Sequence, residues 1–95
     1  MNLKEETVSD ILRVNKTIKD VKYCLIKNNL YAEDAIIYCR GDLNLKALDF
    51  EYDDGFGIQE VEGYIVFKDN TWLERSEYDG SEWWEYKKVP TLEDN

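Results

Sequence analysis

A β-hairpin is the structure that residues 71–86, TWLERSEYDGSEWWEY, predict most strongly. Asp79-Gly80 at its centre suits a two-residue turn, because such turns need backbone conformations that Asp and Gly tolerate. Upstream, residues 58–68 alternate as a strand with Val61, Ile65 and Phe67 on one face, and residues 68–70 turn the chain. Downstream, Pro90 ends the last strand, because proline cannot donate a ladder hydrogen bond. The second half therefore predicts an antiparallel meander.

The first half predicts one long helix over residues 4–28. Apolar side chains recur there at alternating spacings of three and four, which is the period of an amphipathic helix: Ile11, Val14, Ile18, Val21 and Leu25. Thr7-x-x-Asp10 suits a weak capping box, although a start nearer Asn2 is also compatible with the sequence. Asn28-Asn29 is a suitable end, since Asn tolerates the left-handed conformation.

The middle of the chain is less regular. Residues 32–40 suit a strand through the β-forming run Ala35–Arg40, whereas Glu33-Asp34-Ala35 would also suit a helix start, and a strand is the preferred prediction. Gly41-Asp42 could form a turn. Residues 43–53 then alternate as another strand, with a one-residue slip at Leu48 that suggests a β-bulge.

Together these elements predict the α+β class, with one long N-terminal helix packed on a mostly antiparallel sheet of four to five strands. A chain of 95 residues is the size of one domain. We therefore expect a single domain over residues 1–95, with the helix in 1–30, the sheet in 31–90 and a frayed acidic tail in 91–95.

Composition excludes several functional classes. Lys and Arg number 12 and Asp and Glu 21, so the net charge of -9 disfavours direct nucleic-acid binding and docking on an anionic membrane. No histidine is present, which removes the commonest general base and most zinc sites. We expect no enzyme activity and no cofactor. Cys24 and Cys39 are expected to be reduced and partly buried, in a protein of the cytoplasm.

The acidity belongs to one half of the chain. Residues 1–48 carry 7 acids and 8 bases, a net of +1, whereas residues 49–95 carry 14 acids and 4 bases, a net of -10. Carboxylates at alternate positions of a strand lie about 6.6–6.8 Å apart on one face, so rows of them can approximate a phosphate backbone. The first row comprises Asp49, Glu51, Asp53, Asp54, Glu60 and Glu62, and the last hairpin extends it with Glu74, Glu77, Asp79, Glu82 and Glu85. The competing interpretation is a solvated acidic face that aids solubility.

Two further patterns are compatible with binding. Asp49, Glu51, Asp53 and Glu60 stand at positions 1, 3, 5 and 12 of an EF-hand loop, but Asp54 occupies the position where the loop needs glycine, so an ordinary acidic strand end is preferred. Trp83 and Trp84 must point to opposite faces of a strand. We expect Trp84 to be the interface residue, and a symmetric homodimer is compatible with such a contact, while cross-strand aromatic packing is the alternative.

The hairpin stretch TWLERSEYDGSEWWEY resembles the C-terminal part of small proteins of tailed bacteriophages. The size, acidity and order of elements are similar to those of small acidic early proteins of T-even phages, which include the Arn-type anti-restriction DNA mimics. The resemblance implies a phage protein in the host cytoplasm that occupies the DNA-binding groove of a basic host protein, such as a restriction endonuclease or a nucleoid-associated protein. The alternative function is a phage structural or assembly module that binds through an aromatic face.

Overall fold

The structure is a computed structural model that describes residues 1–28, 35–52, 59–78 and 80–89. Its N-terminal helix α1 (Leu3–Arg13) is followed by a 3-10 turn (Ile18–Asp20), the strands β1 (Val21–Asn28) and β2 (Ala35–Arg40), and a one-turn helix α2 (Leu45–Leu48). The last strands are β3 (Val61–Phe67), β4 (Trp72–Tyr78) and β5 (Ser81–Lys87). The α+β class is therefore confirmed.

The five strands form one antiparallel sheet in the order β2-β1-β3-β4-β5. The predicted hairpin is present, because Tyr78 pairs with Ser81 across a two-residue connection in which Gly80 has a φ of 88°. The predicted turn after β3 is also present, with Asn70 at a φ of 68°. Gly63 in β3 has a φ of 130°, and a Cβ there would lie 2.1 Å from the Leu25 carbonyl oxygen. This glycine lets β3 approach β1 closely.

The long helix predicted over residues 4–28 is wrong. Helix α1 has 11 residues, begins after the N-cap Asn2 and ends before Asn15, whose φ is 61°. Thr17 and Asp20 then form a capping box, in which the Asp20 carboxylate accepts a hydrogen bond from the Thr17 backbone N–H at 2.7 Å. Beyond it, β1 is the second strand of the sheet. The helical spacing between Val21 and Leu25 was misleading, because Val21 is fully buried whereas Leu25 is 37% exposed.

The strand predicted over residues 43–53 is also wrong. Residues 45–48 form α2, with the Asn44 side chain as its N-cap. Further along, Glu51 makes only an isolated bridge with Asn2. Residues 32–34 and Asp53 lie outside the described residues, whereas Ala35–Arg40 form the strand that was the preferred prediction.

The core lies between the inner face of the sheet and helix α1. Strands β1 and β3 supply the largest share of it, and Val61, Ile65 and Phe67 are fully buried as predicted. From the helix side, Leu3 and Ile11 complete the cluster. Because α1 covers this face, the side chains of the opposite face, called the outer face below, lie away from the core.

Candidate interaction surface

Cross-strand pairing places a continuous set of side chains on the outer face. One row runs from Arg40 through Tyr23, Val66 and Trp72 to Lys87, because each residue is the register partner of the next. The adjacent row runs from Tyr38 through Leu25, Tyr64 and Glu74 to Glu85. Three further members extend the outer face: Ile36, Lys27 and Trp83. These rows span all five strands.

Large apolar side chains on the outer face are exposed. Ile36 is 57% exposed and Tyr38 56%, and more than a third of Leu25, Tyr64 and Trp83 is also exposed. Single exposed apolar residues are ordinary on protein surfaces, whereas contiguous groups of them mark interaction sites. Leu25, Tyr38 and Tyr64 form a group of the second kind, because Leu25 is the register partner of both tyrosines. Trp83 lies further along the same face, opposite Ser76.

Two shallow depressions of about 450 and 420 Å³ lie on the outer face. They share Tyr23 and Tyr64, whose rings meet edge to face with centroids 6.2 Å apart. The first depression is lined by Lys22, Tyr23, Leu25, Tyr38, Arg40 and Tyr64. Beyond the tyrosine pair, the second is lined by Tyr23, Tyr64, Val66, Asn70, Trp72 and Glu74. The rings of Tyr23 and Tyr64 therefore separate the two depressions.

The β2 end of the outer face is basic. Arg40 donates a hydrogen bond from Nε to the Tyr38 hydroxyl at 2.6 Å, and its guanidinium lies 6.0 Å from the Tyr38 ring centroid. The hydrogen bond with Tyr38 raises the pKa of Arg40. Lys22 lies in the same depression and makes no ion pair within the described part of the chain. A protein of net charge -9 thus carries a local basic and aromatic patch.

Two predicted site acids bind the N-terminus of α1. Asp49 accepts a hydrogen bond from the Asn2 side chain at 3.0 Å and lies 3.7 Å from the Lys4 ammonium. Glu51 lies 3.4 Å from the N-terminal ammonium of Met1. Carboxylates are stabilised at this end of a helix by the free backbone N–H groups and the helix dipole. The expectation that Asp49 and Glu51 share a strand face is therefore wrong.

The other predicted acids are dispersed. The Glu74 carboxylate is 2.9 Å from the Lys87 ammonium, and this pairing lowers the pKa of Glu74. Half-buried Glu60 directly precedes β3, and three acids are exposed without a salt bridge in the described residues, namely Glu62, Glu77 and Glu85. Of these, Glu85 accepts a hydrogen bond from the Ser76 hydroxyl at 2.8 Å. Asp53, Asp54 and Asp79 lie outside the residues described.

Glu82, expected on the acidic surface, is instead buried under α1. Its carboxylate accepts hydrogen bonds from the backbone N–H groups of Glu60 and Val61, at 2.5 and 3.1 Å. Arg75, whose side chain is fully buried, lies 3.2 Å from Glu82 and donates two hydrogen bonds of 3.1 Å to Glu6 on the helix. This carboxylate–arginine–carboxylate cluster joins the helix to the last hairpin, so Glu82 has a structural role.

Titration within this cluster reflects its burial. Desolvation raises the pKa of Glu6, against the opposing effects of its hydrogen bond from Tyr52 and of Arg75. Desolvation also raises the pKa of the Tyr52 hydroxyl, which donates a hydrogen bond to Glu6 at 2.5 Å. The Arg75 guanidinium lies 5.0 Å from the ring centroids of both Tyr52 and Trp84. The two rings therefore pack against the Arg75 guanidinium, and the cluster attaches α1 to the sheet through Glu6.

The interface residue expected at Trp84 is also buried. Its side chain is 2% exposed, and its indole N–H donates a hydrogen bond to the Thr7 hydroxyl at 2.9 Å. Trp83, its neighbour, lies on the outer face and is 39% exposed. A contact between protein chains at this hairpin, including the expected homodimer, would therefore use Trp83.

Sequence reasoning missed the β1 and β2 half of the outer face. Its members Lys22, Tyr23 and Leu25 were placed in the predicted helix, and Tyr38 and Arg40 were given no role. The missed signal was the alternation of Tyr23, Leu25 and Lys27 with Cys24, Ile26 and Asn28, a period of two that is typical of a strand.

Comparison with known proteins gives no match: no family model, no curated protein and no solved structure matches the chain. Within residues 1–28, 35–52, 59–78 and 80–89, no group of three or more Cys, Asp or Glu side chains is placed to hold a metal ion. No helix of that described part is long and apolar enough to cross a membrane.

Proposed function

We propose that this protein is a protein-binding module and that the outer face of its sheet is the binding surface. The observation that carries the proposal is the exposure of Leu25, Ile36, Tyr38, Tyr64 and Trp83 on one face. Within this set Leu25 is the register partner of both Tyr38 and Tyr64. Tyr and Trp are enriched at binding hot spots, because they bury a large area and lose few rotamers. This corresponds to the second function considered above, a phage structural or assembly module.

The chemistry of the outer face defines the partner. Apolar and aromatic side chains at the centre fit an apolar protein surface, which they would desolvate. Lys22 and Arg40 border the first depression, so the partner should carry acidic side chains on the part that meets β1 and β2. The resemblance to small phage proteins favours a bacterial cell as the source of this partner.

Two matched variants test the proposal by affinity capture from bacterial lysate. The face variant combines Ile36→Ser, Tyr38→Ser and Trp83→Ser, all at exposed positions. Its control is an acid variant that combines Asp49→Asn, Glu51→Gln and Glu77→Gln, at exposed positions that do not belong to the outer face. Circular dichroism and thermal unfolding first establish that both variants fold.

The amount of each protein captured by the parent chain should fall at least about tenfold with the face variant. Truncation of hot-spot residues costs about 2 kcal/mol or more of binding free energy. The acid variant should retain these proteins. If the face variant and the parent capture the same proteins in the same amounts, the outer face is not the binding surface.

A DNA mimic is the second candidate, and the observation that favours it is the net charge of -10 in residues 49–95. In this function the protein would bind no nucleic acid and would displace DNA from a basic host protein. The same two variants discriminate the candidates, because mimicry depends on carboxylates. Loss of capture by the acid variant, with retention by the face variant, would select the DNA mimic.

A further inference from the structure

Cys24 and Cys39 lie directly opposite each other in the β1–β2 pair. Both side chains are in the core, with Cys24 fully buried and Cys39 9% exposed. They are free thiols, and the Cys39 S–H donates a hydrogen bond to the Cys24 sulfur at 2.7 Å. The expectation of reduced, buried cysteines did not include this pairing, because the sequence placed Cys24 in a helix.

The backbone of this pair meets the requirements of a disulfide. Directly opposed residues of antiparallel strands have Cα atoms about 4.5 or 5.5 Å apart, depending on their hydrogen-bonding position. Disulfides span Cα separations of about 4.4–6.8 Å, and both values fall in this range. Because the two side chains also leave the sheet on the same face, the two sulfurs can bond without a change of register.

We propose that Cys24 and Cys39 are a modification site that closes reversibly to an intramolecular disulfide when a hydroperoxide such as hydrogen peroxide is the oxidant. In the first step the Cys39 sulfur attacks one oxygen of hydrogen peroxide, the O–O bond breaks, and the thiol proton joins the leaving hydroxide, so that sulfenic acid and one water form. In the second step the Cys24 sulfur attacks the Cys39 sulfur, the S–O bond breaks and a second water leaves. The two sulfurs lose two electrons in total, and the peroxide gains them.

The burial of the two cysteines indicates which sulfur reacts first. Cys39 is the more accessible sulfur, and its strand β2 lies at one end of the described sheet. Cys24 is enclosed by the core, and burial raises the pKa of its thiol to about 12. Since the thiolate is the nucleophile, the closing step should be slow at neutral pH and faster in alkaline solution.

The disulfide would tie β2 to the centre of the sheet. Strand β2 carries Tyr38 and Arg40, which line the first depression of the outer face. A link from Cys39 to Cys24 removes opening motions in which β2 separates from β1 and constrains the unfolded chain. Oxidation should therefore stabilise the fold and hold these two outer-face residues in place.

The test treats the folded parent chain with millimolar hydrogen peroxide and then counts free thiols in denaturant. The count should fall from two to zero without a covalent dimer, and dithiothreitol should restore both thiols. Trypsin cleaves after Lys22, Lys27 and Arg40, so peptides 23–27 and 28–40 should be recovered as one linked species. Oxidation should also raise Tm by about 5 °C or more.

The Cys24→Ala variant is the matched control, because it leaves Cys39 without a partner. Under the same treatment it should carry oxygen on Cys39 or form a chain-to-chain disulfide, and no linked peptide pair can appear. The proposal is overturned if the parent chain keeps two titratable thiols, if its cysteines gain oxygen without linking, or if covalent dimers are the product.

Discussion

Trp83 and Trp84 are adjacent in the sequence and lie on opposite faces of β5. Trp84 packs beneath α1, where its indole N–H bonds Thr7 and its ring lies beside the Arg75 guanidinium. Trp83 instead adds apolar area to the outer face, opposite Ser76. The pair shows how the two-residue period of a strand places one aromatic residue in the core and its neighbour on the exposed face.

The two tryptophans should therefore differ in their effect on stability. Trp84→Ala should lower the free energy of unfolding by about 3–5 kcal/mol, because it leaves a cavity and an unpaired Thr7 hydroxyl in the core. Trp83→Ala should cost less than about 1 kcal/mol, as expected of an exposed position. Urea unfolding of the two variants measures both values. Equal losses would contradict the assignment of faces.

At the scale of elements, the β3–β4–β5 meander was predictable because its signals are local. Asp79-Gly80 selects a tight turn, and Val61, Ile65 and Phe67 alternate toward one face. Helix α1 was predictable in position but not in length. Its end depends on Asn15 in the left-handed conformation and on the Thr17–Asp20 capping box, two short signals that the longer apolar periodicity outweighed.

The interaction between elements was not predictable in the same way. Strand β1 pairs with β3 across a separation of about 40 residues, and the apolar spacing that continues from α1 to Leu25 outweighed the two-residue period of the strand. Likewise, Asp49 and Glu51 contact the first two residues of the chain, and no local sequence pattern predicts these contacts. Register and long-range pairing depend on the whole fold, so the outer face could not be assembled from the sequence pattern.

A single ion pair connects two loops and should make stability depend on pH. The Lys16 ammonium lies 2.8 Å from the Asp69 carboxylate, which also accepts a 3.0 Å hydrogen bond from the Thr71 backbone N–H. The Lys16 ammonium and the Thr71 donors hold the pKa of Asp69 well below its ordinary value of 3.8. This contact attaches the segment after α1 to the β3–β4 turn.

Asp69→Asn should therefore lower the free energy of unfolding at pH 7. An aspartate with a lowered pKa stabilises the fold above its unfolded-state pKa and loses this effect as pH falls through the folded-state value. The difference between parent and variant should thus shrink below about pH 4. Thermal unfolding across this range measures it, with the exposed Glu62→Gln variant as control. A difference that persists unchanged into strong acid would contradict the ion-pair explanation.

At the scale of the whole molecule, the acidic residues that the structure describes are dispersed and do not form one charged row. Several predicted site acids are engaged in helix capping, in the Arg75 cluster or with Lys87, whereas the outer face has contiguous exposed aromatic side chains. The total charge was evident from the sequence, but the partners of each carboxylate depend on the fold. The acidity therefore indicated a charged surface, while the apolar outer face could be identified only from the strand register.

The salt dependence of partner binding tests this account most directly. The affinity of the parent chain for a partner obtained by capture would be measured by calorimetry from low salt to molar salt. Binding through the outer face should change less than about tenfold, because apolar burial is not screened and only its rim is charged. A steep fall in affinity of several orders of magnitude would contradict the account, since that result is expected of many carboxylates bound in a basic groove.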